Sequence, residues 1–313
     1  MMRALAKRLP HPLLMRLHQR YQLTQQSTLA RRIARRTGLP LLETLNISTL
    51  KTSDTVFILG SGSSINQISD AKWKVMGGHD TIAMNFWPVH PFVPRILLFE
   101  NIWPRDDLKF MFDVFRDLLQ RRAFDYRHTV KITSELIPLN NQQLVLDIPE
   151  GFRPYLYIGY SANIVARDEK EVVAGLRYMR KRGMFRQRDH IGWQFKCAGS
   201  VLAAMTLAVC MGHRRIVLCG IDLGNAEYFY QDAERYPEAR GWEFTPRNRL
   251  HPAARRLEWL VPGQEVIVHF EREVLDPAGV ELYVENRSSA LHPRIAEVPQ
   301  DIWVDLARQA AIT

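Results

Sequence analysis

Cysteine is scarce in this chain: Cys197, Cys210 and Cys219 are the only three in 313 residues, and no CxxC spacing occurs. Three thiols cannot all pair within one chain, and the spacing offers no zinc knuckle, so buried thiols in a reducing compartment are expected. No run of 18 apolar residues exists, which argues against a membrane-spanning helix. The N-terminus lacks the apolar core and small-residue cleavage site of a secretory signal. Together these absences predict a cytoplasmic protein. There is no DxD triplet and no cluster of His, Cys, Asp and Glu at metal-ligand spacing, so no metal site is expected. Internal repeats and low-complexity tracts are missing too. What is there is a globular composition, 46% hydrophobic and 24% charged.

The net charge of +9 is concentrated at one end. Residues 1–51 hold ten basic side chains and a single acid, Glu43, whereas the remainder balances at 32 basic and 32 acidic. Leu5, Leu9, Leu13, Leu14, Met15, Leu17, Tyr21 and Leu23 lie among these arginines and lysines. With Pro10 and Pro12 breaking the first turns, a helix is expected to run on from Pro12. Apolar groups at helical intervals among arginines suit a helix lying on an anionic membrane surface, at the inner face of a bacterial inner membrane. An ordinary basic helix packed on the body is the plainer alternative. Nucleic acid is the least favoured partner, because no recognised nucleic-acid module follows.

Past the arm, an α/β pattern emerges. Thr55–Leu59 is a short apolar run ending in the turn Gly60, Ser61, Gly62, Ser63, Ser64, and a strand, glycine turn and helix in that order form the ligand-facing corner of doubly wound folds. The turn lacks the third glycine of a dinucleotide fingerprint and the Gly-Lys-Ser/Thr of a Walker A loop, and a plain βα turn is the alternative. Strands are also expected at 80–84, 95–99, 128–133, 215–219 and 280–284, with helices at 106–122, 200–211 and about 252–260. Ser200 to Met211, capped by Gly212 and followed by Arg215–Cys219 and Gly220-Ile-Asp222, reads as a crossover that delivers Asp222 to a crevice. Residues 134–195 show no clean period and read as an insertion. Residues 224–250, rich in Tyr, Trp, Pro and Gly, read as a mobile lid. His251, at the start of the segment after that lid, is a candidate base at neutral pH, with a capping or surface role as the alternative.

Taken in order, these pieces resemble the bacterial sialyltransferases of glycosyltransferase family 42 and the transferases that add the third Kdo residue to lipopolysaccharide cores. The turn Gly60 to Ile65 is similar to that family's Gly-Asn-Gly-Pro-Ser-Leu. Met84-Asn85-Phe86 looks like its Cys-Asn-Gln-Phe, and Phe99-Glu100-Asn101 like its Phe-Tyr-Asn. Gly199-Ser200 through Gly212 to Gly220-Ile-Asp222-Leu223 aligns without a gap to its Thr-Ser-Gly…Ser-Gly-Ile-Asp-Phe. Tyr228-Phe-Tyr230-Gln-Asp232 is closer to the Kdo branch's Arg-Phe-Tyr-Asp-Glu. Asn286-Arg-Ser288-Ser289 resembles the family's final Pro-Asn-Ser loop.

The resemblance covers about residues 55–298. It implies one Rossmann-like domain of the GT-A-variant, sialyltransferase-like kind, with a mostly parallel sheet and a lid. The resemblance leaves the N-terminal arm unaccounted for, and the chain is read as a basic helical arm (1–52), a transferase domain (53–298, lid about 224–250) and a C-terminal helix (299–313). It implies an inverting, metal-independent enzyme with no cofactor, using a CMP-activated sugar donor and a glycan or glycolipid acceptor. Gly60 to Ser64, Asn85, Asn101, Gly199, Ser200, Asp222, Asn286 and Ser288 would hold the donor. Tyr228 and Tyr230 would stabilise its phosphate, and His251 would deprotonate the acceptor. The chain departs from the sialyl pattern at Gly224, where that branch has a phosphate-binding tyrosine, and at Ser63, where it has proline. The rivals are a CMP-sialic acid transferase, a pterin pyrophosphokinase-like enzyme, which would need Mg²⁺, and a non-catalytic nucleotide-binding module at a membrane.

Overall fold

A computed structural model describes residues 11–100, 109–134, 144–164, 166–197, 199–224, 227–240, 242, 252–254 and 261–311. Its strands are β1 Thr55–Leu59, β2 Asp80–Met84, β3 Ile96–Glu100, β4 Val130–Ser134, β5 Leu156–Ile158, β6 Tyr160–Ala162, β7 Trp193–Phe195, β8 Arg215–Cys219 and β9 Glu281–Val284. Its helices are α1 His11–Thr37, α2 Asp70–Gly77, α3 Lys109–Arg121, α4 Glu169–Lys181, α5 Val201–Met211, α6 Gly263–Phe270 and α7 Gln300–Ala310. Seven strands form one sheet in the order β5-β4-β3-β2-β1-β8-β9, all parallel, and β6 and β7 make a separate parallel pair. The expected Rossmann-like α/β fold is observed.

Alternation along each strand divides the core into two layers. Val56 and Ile58 of β1, with Ile216 and Leu218 of β8, face α4, α5 and α6, whereas Phe57, Leu59, Val217 and Cys219 face α2, α3 and α7. Every side chain of α5 is buried, so this helix is sandwiched between the sheet and its neighbours rather than amphipathic. Gly212 ends it in the left-handed conformation, at φ 84°, as the sequence anticipates. On the other face Trp303 of α7 stacks on Phe57 at 5.7 Å.

Three expectations are corrected. Residues 134–195 are not an irregular insertion: they supply the edge strand β5, the pair β6–β7 and helix α4. The three-residue strands are too short to show a period, but α4 has a readable start, with the Asp168 side chain accepting from Glu171 N at 2.9 Å. Of the expected helix at about 252–260, residues 255–260 lie outside the described residues and Pro252–Ala254 form a 3-10 turn; helix α6 follows at 263–270.

The lid also differs. Within residues 224–250, Phe229, Tyr230, Tyr236, Ala239 and Trp242 are buried, with Phe229 on Trp87 and Tyr230 and Trp242 on Phe86, so these side chains belong to the core rather than to a cover; 225–226, 241 and 243–250 lie outside the described residues. Finally, the arm is no appendage. Leu29, Ala30 and Ile33 of α1, and Leu42 and Ile47 after it, belong to the core. No helix among the described residues is long and apolar enough to cross a membrane.

Candidate functional site

The sheet order sends the chain outward from β1 through β2 to β5 on one side, and through β8 to β9 on the other. The turns after β1 and β8 therefore diverge, and the gap at their C-terminal ends is where α/β sheets bind ligands. The two turns interlock. Gly60 N donates to Cys219 O and Gly62 N to Gly220 O, both at 2.8 Å. A Cβ at Gly60 would collide with the Ile221 side chain, and one at Gly62 with the Asp222 carboxylate. Gly220 has φ +65°, and a side chain there would strike Ile65. These glycines are needed first so that backbone can pack on backbone.

That packing corrects one borrowed role. By that carry-over Gly60 to Ser64 would hold the donor, yet the amides of Gly60, Gly62, Ser63, Ser64 and Ile65 are spent inside the protein. Ser63 N donates to Glu227 O at 3.2 Å and Ile65 N to Gly62 O at 3.2 Å. Ser64 N donates to Asp222 Oδ2 at 3.0 Å, and the Ser64 hydroxyl donates to Asp222 Oδ1. The segment is moreover a five-residue 3-10 turn, Ser63–Gln67, without the aligned amides of an α-helix start. Ser64 and Asp222 are buried, and they act as a clasp between the two turns rather than as ligand groups.

Above the clasp opens a cleft of about 540 Å³. Gly60, Ser61, Gly62, Asn85, Gly199, Ser200, Asp222 and Tyr228 line it, together with Glu100, Asn163 and Lys196, which the sequence reading did not assign. Four side chains from four elements meet on one wall. Asn85, just past β2, has φ 54°, a conformation asparagine tolerates better than most residues. Its Oδ1 accepts from Glu100 N at 3.1 Å and its Nδ2 donates to Ser200 Oγ at 3.4 Å. Ser200 Oγ donates in turn to Glu100 Oε1 at 2.6 Å. Lys196 Nζ, following β7, pairs with that same oxygen at 2.8 Å. Lys196 is almost fully buried, whereas the Glu100 side chain is 39% exposed. Nothing in the linear sequence joins Lys196 to Glu100, since β7 belongs to a separate short pair.

The two tyrosines part company. Tyr228 lines the cleft, and its segment bridges to Gly62. Tyr230 lies parallel beneath it with ring centroids 5.2 Å apart and is only 3% exposed, packed against Phe86 and Trp242. Burial pushes its phenol well above the ordinary value. Tyr230 is therefore a support for Tyr228 and not a phosphate ligand. Next to this cluster, burial brings His90 down to about 4 and Tyr236 up to about 12.

Other expected residues fall elsewhere. Asn286 and Ser288 bond to each other in the loop after β9 and do not line the cleft. That loop supports the β8 turn, with Ser289 Oγ donating to Ile221 O at 2.7 Å. His251 and Asn101 lie outside the described residues. Of the other histidines, His213 sits at the opposite, N-terminal edge of the sheet, between Asp80 and the Ala208 carbonyl. His190 contacts the Leu45 carbonyl, away from the cleft. Among the described residues no group of three or more His, Cys, Asp and Glu is placed to hold a metal ion. No known protein family's profile matches the chain, and no curated protein sequence matches it.

Proposed function

We propose that the protein is an inverting, metal-independent glycosyltransferase that moves a 3-deoxy-ulosonic acid, with Kdo favoured, from a CMP donor to a hydroxyl of lipopolysaccharide or another surface glycan. What carries this reading is the convergence of Gly60, Gly62, Asn85, Ser200 and Tyr228 on one switch-point cleft. These positions are far apart in sequence and are the ones on which the family resemblance rests. At about 540 Å³ the cleft is of the size that holds small ligands, roughly 300–1,000 Å³.

Such a donor carries a phosphate and a carboxylate. As its bond to the phosphate breaks, the sugar gains oxocarbenium character and negative charge grows on the departing CMP. With the amides of Gly60, Gly62, Ser63, Ser64 and Ile65 committed, side chains carry the stabilisation: the Lys196 ammonium, the Tyr228 hydroxyl, and the Asn85–Ser200 pair. Each preorganised donor of this kind is worth about 2.7–4 kcal/mol in comparable sites.

The acceptor would be met at an anionic membrane surface. Supporting this, α1 exposes Leu13, Leu17 and Tyr21 at four-residue intervals, and the same outward stripe continues in Arg31 and Arg35, flanked by Arg32 and Arg36. Thermal-shift titrations against CMP, CDP, UDP, ADP and GDP test the reading. CMP should stabilise the protein most, and CMP release from CMP-Kdo should survive EDTA. A preference for UDP, or an absolute need for a divalent metal, would reject it.

A further inference from the structure

We propose that Glu100 is the proton acceptor of the transfer. This rests on the CMP-sugar reading of the cleft and assigns a group that reading leaves open. The described wall of the cleft contains two carboxylates, Glu100 and Asp222, and no histidine. Asp222 is buried, and both of its oxygens are engaged by Ser64. Glu100 is the one whose side chain reaches solvent in the cleft, at 39% exposure. It stands at the C-terminal end of β3, one strand beyond Asn85 and across from Gly199-Ser200.

Its surroundings suit the role. Ser200 and Lys196 hold Oε1 in place at 2.6 and 2.8 Å, so the carboxylate is oriented before any ligand arrives. The same two groups are the natural partners for a donor's phosphate or carboxylate. An incoming anion competes with Glu100 for the Lys196 ammonium and for the Ser200 hydroxyl. Each contact that Glu100 yields raises its affinity for a proton, because opposite charge and hydrogen-bond donors favour the ionised form. The base thus strengthens when the donor is seated. In the step itself, the acceptor O–H proton passes to the Glu100 carboxylate and the acceptor oxygen bonds to the anomeric carbon. The bond from that carbon to the phosphate oxygen breaks, and its electron pair leaves with CMP.

The test compares wild type, Glu100→Gln and Glu100→Ala, using CMP-Kdo with de-O-acylated rough-type lipopolysaccharide and, separately, CMP binding by calorimetry. Glu100→Gln keeps an oxygen for Ser200 and Lys196 but cannot take a proton. It should lower transfer by about 10²–10⁴-fold, with CMP affinity changed by no more than about threefold. Formate should restore part of the transfer lost in Glu100→Ala, a rescue that a purely structural strut would not show. Glu100→Gln retaining most of its transfer rate while binding CMP normally would overturn the assignment of Glu100 alone. So would an unrescued Glu100→Ala whose CMP affinity falls in step with its rate. A wild-type protein that neither binds CMP nor releases it from CMP-Kdo would overturn the transferase reading as well, and the wild-type arm reads that directly.

Discussion

Asp222 accepts hydrogen bonds from both the backbone N–H and the hydroxyl of Ser64, fastening the turn after β8 to the turn after β1. The cleft exists because these turns diverge above this clasp. Hydrogen bonds to a charged group are worth about 1.5–3 kcal/mol each, and a buried donor left unpaired adds its own penalty. Asp222→Ala should therefore destabilise the protein by about 2–4 kcal/mol, seen as a lower urea midpoint at unchanged slope. Gly62→Ala should also be severe, since its new methyl would press on the Asp222 carboxylate. The two defects should be less than additive when combined, because Asp222→Ala removes the nearer of the two groups the methyl strikes, leaving the Gly220 carbonyl. Simple additivity would show that the clasp does not set the turn geometry.

The stacked tyrosines should separate by assay. Tyr228→Phe removes a hydroxyl at the cleft and leaves the packing intact. It should cut transfer by about 2.7–4 kcal/mol of barrier, a hundredfold or more, with little change in thermal midpoint. Tyr230→Ala empties a buried aromatic site and should cost about 3–5 kcal/mol of stability. If Tyr228→Phe transferred at the wild-type rate, the phosphate contact would have to come from Lys196 and the Asn85–Ser200 pair.

His90 sets an acid limit on stability. It lies among Trp73, Trp87 and Phe229, and its Nδ1 accepts from Phe92 N at 3.1 Å, which only an unprotonated nitrogen can do. Burial, with smaller contributions from the charges of Arg122 and Arg235, lowers its value from 6.5 to about 4. The unfolded chain thus binds this proton more readily than the folded one between those limits. The stabilisation is fully present above 6.5 and is lost as pH falls towards about 4. At about 1.36 kcal/mol per unit, the loss is on the order of 3 kcal/mol. Urea midpoints between pH 4 and 7 should fall accordingly, and His90→Phe should flatten that part of the profile while lowering stability throughout. An unchanged slope in His90→Phe would assign the acid sensitivity to other groups.

The sequence revealed the central half of the fold well. The strands at 55–59, 80–84 and 215–219 are uninterrupted buried runs bounded by turns, and α5 with Gly212 carries both a composition and a stop signal. Convergence of Gly60, Asn85 and Ser200 was legible because each follows a strand or starts a helix at the ligand-binding edge. Lys196 was not, because it follows a three-residue strand that leaves no periodic trace. The commitment of the turn amides was hidden too, since it depends on Glu227 and Asp222, more than a helix and several strands away. The aromatic run at 228–242 read as a lid because its polar and proline spacing looks like a loop. Only its contacts with Phe86 and Trp87 show that Phe229, Tyr230 and Trp242 are core.

Helix α1 gives the last test, and its burial dictates how to perform it. Deleting the basic arm is not a clean experiment, because Leu29, Ala30 and Ile33 are in the core and would be lost with it. Gln22 of α1 also accepts from Asn163 N at 2.9 Å, so the helix supports a residue that lines the cleft. The outward face can be altered without touching these contacts. Leu13, Leu17 and Tyr21 are each about half exposed, and Arg31, Arg32, Arg35 and Arg36 are exposed further along the helix. Replacing the four arginines by Gln removes roughly 1 kcal/mol apiece of attraction to an anionic surface, so partitioning onto phosphatidylglycerol vesicles should drop several hundredfold. Leu17→Asp should weaken binding even at low salt, since it sets a charge against the acyl boundary. Neutral phosphatidylcholine vesicles should bind wild type poorly. Thermal midpoint and CMP binding should stay near wild type in all of these variants, because none of the altered side chains is buried. Equal partitioning of wild type and the four-arginine variant would mean that this face serves no membrane.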